Sequence, residues 1–337
     1  MIPRPLRSLI VAAAMLPASL HAAPLKVFVL AGQSNMQGHA NISTIDPMAK
    51  DPKTAPLHKE MVDKDGKPVV CDKVWINYLS EGRSQEPVIR EGKLTAGFGA
   101  RPEAIGPEFT FGITMEKQLR EPILIIKTAW GGKSLHTDFR PPSASSEGAG
   151  RYYKLMIEHV KKVLEDPKEI VPSYNKSDGY EIAGFVWFQG WNDLVDQKTY
   201  PKRGERGGYD AYTENMAHFI RDVRKDLNAP KMPFVIGVLG VGGPADTMAP
   251  RYKSVYENFR AAQAAPASMS EFKGNVHAVL TEKFWDAELA AIRNKKDRTA
   301  EEQEIAKGIS NQEFHYLGAA KILGPIGQAF AEALAKR

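Results

Sequence analysis

The sequence predicts a three-layer α/β/α sandwich with a mainly parallel central sheet. Three observations point to it. Short apolar runs rich in β-branched residues recur at 26–30, 74–78, 122–127, 182–188, 234–239 and 276–280. Several are continuous rather than alternating, as strands covered on both faces should be. Segments with apolar residues at helical spacing lie between them, and strand–helix alternation argues for a parallel sheet flanked by helices.

Taken in order, the first strand carries Val27-Phe28-Val29-Leu30-Ala31 and stops at Gly32. A helix over 107–119 follows from Phe109, Ile113 and Met115. Leu155, Met156, Val160 and Leu164 predict one over 152–164. Tyr212, Met216, Phe219, Ile220 and Val223 predict one over 209–227, with Pro230 as its stop. Ile322, Ile326, Phe330 and Leu334, spaced by four, predict a last helix over 318–335. Polar stretches at 39–70, 138–150 and 198–208 read as loop insertions, placed to form substrate walls or passive surface.

The first 23 residues read as a secretory signal. Arg4 and Arg7 form a basic start, 9–20 an apolar core, and Ala22-Ala23 a small-residue cleavage site. The apolar part is short of the roughly 20 residues a membrane span needs. The expectation is one exported domain over 24–337, secreted or periplasmic, with no membrane span after signal removal. Cys71 is the only cysteine, which excludes an internal disulfide and argues against a cysteine-based metal site. The net charge of +5 is mild, loses two positive charges with the signal, and implies no nucleic-acid partner. The mixed charges of Lys295-Lys296-Asp297-Arg298 and Glu301-Glu302 read as a solvated surface.

Four blocks carry candidate chemistry. Gly32-Gln33-Ser34-Asn35-Met36 follows the first strand, where ligands of open α/β sheets bind. Trp130-Gly131-Gly132-Lys133-Ser134 follows another strand, and its glycines let backbone N–H groups approach a ligand. Trp187-Phe188-Gln189-Gly190-Trp191-Asn192-Asp193 ends a third strand and offers the side-chain amides of Gln189 and Asn192. Asn311-Gln312-Glu313-Phe314-His315-Tyr316-Leu317-Gly318 places His315 just before the last helix.

Together these blocks resemble the SGNH hydrolase superfamily, and more closely the sialate O-acetylesterase-like group that includes carbohydrate esterase family 6. The resemblance implies a flavodoxin-like sandwich, a Ser–His catalytic pair and removal of O-acetyl groups from sugars. By it, Ser34 is the nucleophile and His315 its general base. The oxyanion donors are the Ser34 N–H, the N–H of Gly131 or Gly132, and the amide of Asn192 or Gln189. Two departures stand out. Trp191 sits where the esterase group more often has glutamate, and Gln312 sits where the superfamily has an aspartate three residues before the histidine. A neutral glutamine cannot stabilise an imidazolium as a carboxylate does. Glu313 is the first candidate acid and Asp286 the second, with a backbone carbonyl as the third option. Gln33, Trp130, Trp191 and Tyr316 adjoin the motifs and are candidates for contact with the sugar.

The α/β-hydrolase elbow is absent, because Met36 stands at its second glycine. No dinucleotide fingerprint follows the first strand, and no His-Glu-x-x-His is present, so neither a nicotinamide nor a zinc cofactor is expected. The expected function is an exported esterase that deacetylates a carbohydrate through an acetyl-enzyme, without a cofactor. The alternatives are a non-catalytic carbohydrate-binding protein on this scaffold and a lipid-directed esterase of the same superfamily.

Overall fold

The structure is a computed structural model and describes residues 23–82 and 84–335. The signal segment read from Arg4, Arg7 and the apolar core lies outside the described residues, apart from Ala23. The strands are β1 (Leu25–Gly32), β2 (Ala40–Asn41), β3 (Val74–Glu81), β4 (Pro87–Lys93), β5 (Ala104–Ile105), β6 (Ile123–Ala129), β7 (Tyr180–Phe188), β8 (Phe234–Val238) and β9 (Val276–Leu280). The helices are α1 (Ser34–Gln37), α2 (Ala55–Met61), α3 (Pro107–Leu119), α4 (Arg151–Glu165), α5 (Trp191–Val195), α6 (Asp210–Asp226), α7 (Pro250–Ala264), α8 (Ala287–Asn294), α9 (Ala300–Ala306) and α10 (Ala320–Ala335).

The main sheet runs β4-β3-β6-β1-β7-β8-β9. All its pairings are parallel except β3 with β4. Each of the six expected strands is present, as are the four expected helices. β4 departs from the expectation. It alternates exposed and half-buried residues and carries Arg90, Glu91 and Lys93, so it has no apolar run to betray it. Pro87 and those charges suit an edge that should not pair with another chain. The helix α7 was equally hidden, because only Val255, Phe259, Arg260, Ala262 and Gln263 of its residues are buried. The stretch 39–70 is no free loop. It contains α2 and buries Met48, Leu57 and Met61.

β7 shows how the layers form. Phe185 and Trp187 point to one face and meet Phe219 of α6. Phe188 points to the other and meets Phe330 of α10 edge-on. This is the period-two alternation of a strand with both faces covered. Phe28 packs on Phe111 of α3 at 5.5 Å, on the α10 side. One apolar cluster runs from Leu25 to Leu334 and includes the buried thiol of Cys71.

The register positions the site. Gly32 pairs with Ala129 on one side and Phe188 on the other. β1, β6 and β7 therefore end at one level, and the first three sequence blocks leave the sheet side by side. Gly32 is required by close approach, since a Cβ there would stand 2.1 Å from the Phe188 carbonyl oxygen. Among the described residues, no helix is long and apolar enough to cross a membrane.

Candidate active site

Ser34 opens the short helix α1 immediately beyond β1 and is buried except for 6% of its surface. Its neighbour Gln33 is fully buried, and its Oε1 accepts from the N–H groups of Gly190 and Asn192 at 3.2 and 3.4 Å. Gln33 thus ties the serine turn to the loop beyond β7. It has no surface to offer a sugar, and its expected substrate contact is corrected to this tie. Below the turn, the fully buried Lys127 donates to the carbonyls of Gln37 and Phe98 and to Glu108 at 2.7–2.9 Å. Its ammonium sits 4.4 Å above the Tyr78 ring. Burial pulls the Lys127 pKa down to about 8, against the attraction of Glu108.

Gly131 faces the serine from β6. A Cβ on it would lie 3.9 Å from Ser34 Cβ and 3.0 Å from Gln37 Oε1. Gly132 takes a left-handed conformation, φ 72°, and has open space at its α-carbon. This loop is held by Asp193, a fully buried carboxylate that accepts from the N–H of Leu135 at 2.8 Å and of His136 at 3.1 Å. Gln189 Nε2 and Tyr200 Oη complete its four donors at 2.6 and 3.1 Å. Burial pushes the Asp193 pKa up, and those donors oppose the rise.

The two amides of the third block now separate. Gln189 is buried, its Nε2 donates to Lys133 O, Asp193 and Gln33, and its Oε1 accepts from Tyr212. Its donors are consumed, so its expected oxyanion role is corrected to a structural one. Asn192 is half-buried and, among the described residues, its side chain has no protein partner.

His315 lies in the segment Glu313–Gly318, which packs against α1. Its Nδ1 is 2.9 Å from Asn311 Oδ1. That atom also accepts the Gln312 N–H at 2.8 Å, which identifies it as the amide oxygen. Nδ1 therefore carries the hydrogen and Nε2 the lone pair. Burial pulls the His315 pKa down to about 4. No hydrogen bond joins Ser34 and His315 among the described residues.

The backbone around His315 is strained and overdetermined. Tyr316, Leu317 and Gly318 are consecutively left-handed, with φ of 51°, 60° and 56°. Left-handed geometry costs about 1–2 kcal/mol for a residue with a Cβ, and it persists where surroundings enforce it. Here Leu317 O accepts the N–H groups of Ser310 and Asn311, and Ser310 Oγ donates to Gly318 O at 2.7 Å. Ser310 Oγ also accepts the Asn41 N–H at 3.0 Å, joining this loop to the one after α1. The result is a His39 ring stacked on His315. Burial, then the neighbouring charges of His315, Arg101 and Lys127, pull the His39 pKa down to about 3.

The expected acids are elsewhere. Glu313 accepts from Asn294 Nδ2 at 3.0 Å on the surface. Asp286 caps α8 through the Leu289 N–H and pairs with Lys321 at 2.5 Å. Neither meets His315, and Asn311 holds the place assigned to them. Two expected sugar contacts fail for a different reason. Trp130 is 1% exposed, and Tyr316 is fully buried with its hydroxyl bonded to Gly240 N and Thr281. Trp191 stays half-buried, stacked 5.6 Å from Phe314. Sequence reasoning missed Asn311 and His39. Asn311 stands within the quoted fourth block, but the expected partners of His315 are carboxylates or a backbone carbonyl, not a side-chain amide. Among the described residues, no group of three or more His, Cys, Asp or Glu is placed to hold a metal ion.

A parallel sheet with its polar motifs gathered at the carboxyl ends of adjacent strands is the architecture of an α/β enzyme. Residues 24–283 match the family model of carbohydrate esterases described as sialic acid-specific acetylesterase, and the chain belongs to that family. It is a carboxylic ester hydrolase of carbohydrate acetyl groups. The matched region ends before Asn311 and His315. A probable carbohydrate esterase of Arabidopsis thaliana is 23% identical over 230 residues, which is 65% of this chain and 71% of the relative. The solved structure of an A. thaliana protein shares the fold, with a TM-score of 0.51 and 18% identity over 93% of this chain and 98% of that one. The structure of NanS aligns with a TM-score of 0.47 and 15% identity over 93% and 98% of the two chains.

Proposed function

We propose that this chain is an exported serine esterase that releases acetate from an O-acetylated sugar through an acetyl-enzyme. Ser34 Oγ attacks the acetyl carbonyl and passes its proton to His315 Nε2. Asn311 holds the imidazole in the tautomer this requires. The Ser34 and Gly131 N–H groups and the Asn192 amide stabilise the oxyanion. His315 then protonates the leaving sugar hydroxyl, and water, deprotonated by the same nitrogen, resolves the acetyl-enzyme. The bond between His315 Nδ1 and Asn311 Oδ1 carries this reading, because it leaves the Nε2 lone pair free on the segment packed against α1, the helix that Ser34 opens. Export rests on the basic and apolar leader around Arg4, Arg7 and residues 9–20. One domain over 24–337 agrees with an apolar core that spans the described residues.

Substitution of Ser34 by alanine tests the reading. Hydrolysis of p-nitrophenyl acetate should disappear while far-ultraviolet circular dichroism is unchanged. A phosphonate ester probe should label the wild type at Ser34 and leave the variant unlabelled. Retained turnover in Ser34→Ala would overturn the assignment, and an unreactive wild type would favour a binding protein on an esterase scaffold.

A further inference from the structure

An aromatic cleft adjoins the candidate site. The Phe314 ring lies edge-on to His315 at 4.5 Å and stacks on Trp191 at 5.6 Å. Trp191 in turn lines a cleft of about 300 Å³ between α5 and α7, with Leu194, Val195, Tyr252 and Tyr256. Val195 and Tyr252 are 44% and 43% exposed, so this apolar wall faces solvent. Gln197 and Arg203 also line it and supply polar groups. Two ring-to-ring steps therefore connect the imidazole to an open, mostly apolar surface that carries three aromatic rings and has hydrogen-bonding groups beside it.

We propose that this cleft is a second sugar subsite, which holds the pyranose ring glycosidically joined to the acetylated residue. The inference rests on the esterase reading above and adds the length of the substrate to it. A pyranose has apolar C–H faces and a rim of hydroxyls. Aromatic faces with polar neighbours complement both parts, because such rings bury large apolar area and leave polar edges to hydrogen-bond. The volume lies at the small end for ligand clefts, which suits one ring rather than a long chain. Continuity through Phe314 gives that ring its partner, the acetylated sugar at Ser34. Trp191 is the decisive side chain. It both stacks on Phe314 and lines the cleft, so it joins the two parts.

The test compares kcat/KM for glucose pentaacetate and cellobiose octaacetate, each fully acetylated, with p-nitrophenyl acetate as the ring-free control. The wild type should prefer the disaccharide by about tenfold, equivalent to about 1.4 kcal/mol. Trp191→Ala should bring the ratio close to one. Tyr252→Ala, a truncation of an exposed side chain, should lower it partway. Equal rates on the two sugars overturn the subsite, as does p-nitrophenyl acetate turnover with neither sugar ester cleaved. A loss in Trp191→Ala shared equally by both sugars also overturns it, since the residue would then act on the ester itself. If the wild type cleaves no acetyl ester at all, the serine esterase reading fails first. If Trp191→Ala does not fold, the wild-type preference and Tyr252→Ala decide.

Discussion

The imidazoles of His39 and His315 lie face to face, 3.9 Å between centroids and 1° from parallel. Ser310 builds this pair by bonding the backbone on both sides of it, accepting from Asn41 N and donating to His39 O or Gly318 O. One face of the candidate base is thus covered by a second, neutral ring. That cover holds the imidazole in place and withholds water from it, which depresses its affinity for a proton.

Asn311 replaces a carboxylate as the group that orients His315. Asn311→Ala should lower kcat for p-nitrophenyl acetate by on the order of 10- to 100-fold, part of what general-base catalysis contributes. Glu313→Gln should leave kcat within about twofold, because its carboxylate meets Asn294 and not His315. Steady-state kinetics on the two variants check both outcomes. A strong loss in Glu313→Gln with none in Asn311→Ala would reverse the assignment.

The pH dependence should follow the depressed histidines. His315 stays neutral until about pH 4, so the acid limb of kcat/KM should fall near there and not near 6.5. His39→Ala, by exposing the ring, should move that limb upward. Stability has a linked sign. Below 6.5 the unfolded chain gains protons at both histidines, while the folded protein holds them neutral to about 4 and about 3. Folding free energy should therefore be full above 6.5 and decline as pH falls from there towards 4. Urea melts at pH 7 and pH 4.5, compared between wild type and His39→Phe, measure this share.

Asn192 and Gln189 should behave differently when truncated. Asn192→Ala removes a candidate oxyanion donor and should cost about 10²–10³ in kcat with little change in melting temperature. Gln189→Ala strands Asp193, Lys133 O and Tyr212 in the interior. It should cost stability of about 1–3 kcal/mol for each buried partner left unsatisfied. Kinetics and thermal melts on each variant separate the roles.

Lys127 and Glu108 form a fully buried ion pair under the serine turn. Lys127→Met leaves the Glu108 carboxylate without its partner and should destabilise the fold by about 3–5 kcal/mol. Lys127→Met with Glu108→Leu should recover much of that loss, since apolar pairs often replace buried ions without cost. Chemical denaturation of the single and double variants reads the difference.

The parts of the molecule legible in sequence were those governed by local pattern. Six strands announced themselves as short apolar runs, and burial on both faces makes the inner ones continuous, as at Val27–Leu30 and Phe185–Phe188. β4 did not, because it alternates exposed and half-buried residues and carries Arg90, Glu91 and Lys93. The motifs at Ser34, Gly131 and Asn192 were visible as strand-end blocks. Their alignment depends on the register that sets Gly32 opposite Ala129 and Phe188, which is a long-range fact. Asn311 escaped because the expected partner was a carboxylate or a backbone carbonyl, whereas the tertiary turn brings a side-chain amide oxygen to Nδ1. Trp130 and Tyr316 misled for the opposite reason. Adjacency to a motif in sequence says nothing about which way a ring points.

The left-handed run at Tyr316, Leu317 and Gly318 restricts how this enzyme can vary. Only side chains that tolerate that region of backbone space can follow the histidine, and β-branched ones are poorly suited to it. Glycine at 316 would relax the backbone but forfeit the phenol that anchors to Gly240 and Thr281. Drift and protein engineering alike have more freedom in the aromatic cleft than in the three residues that carry the imidazole to its post.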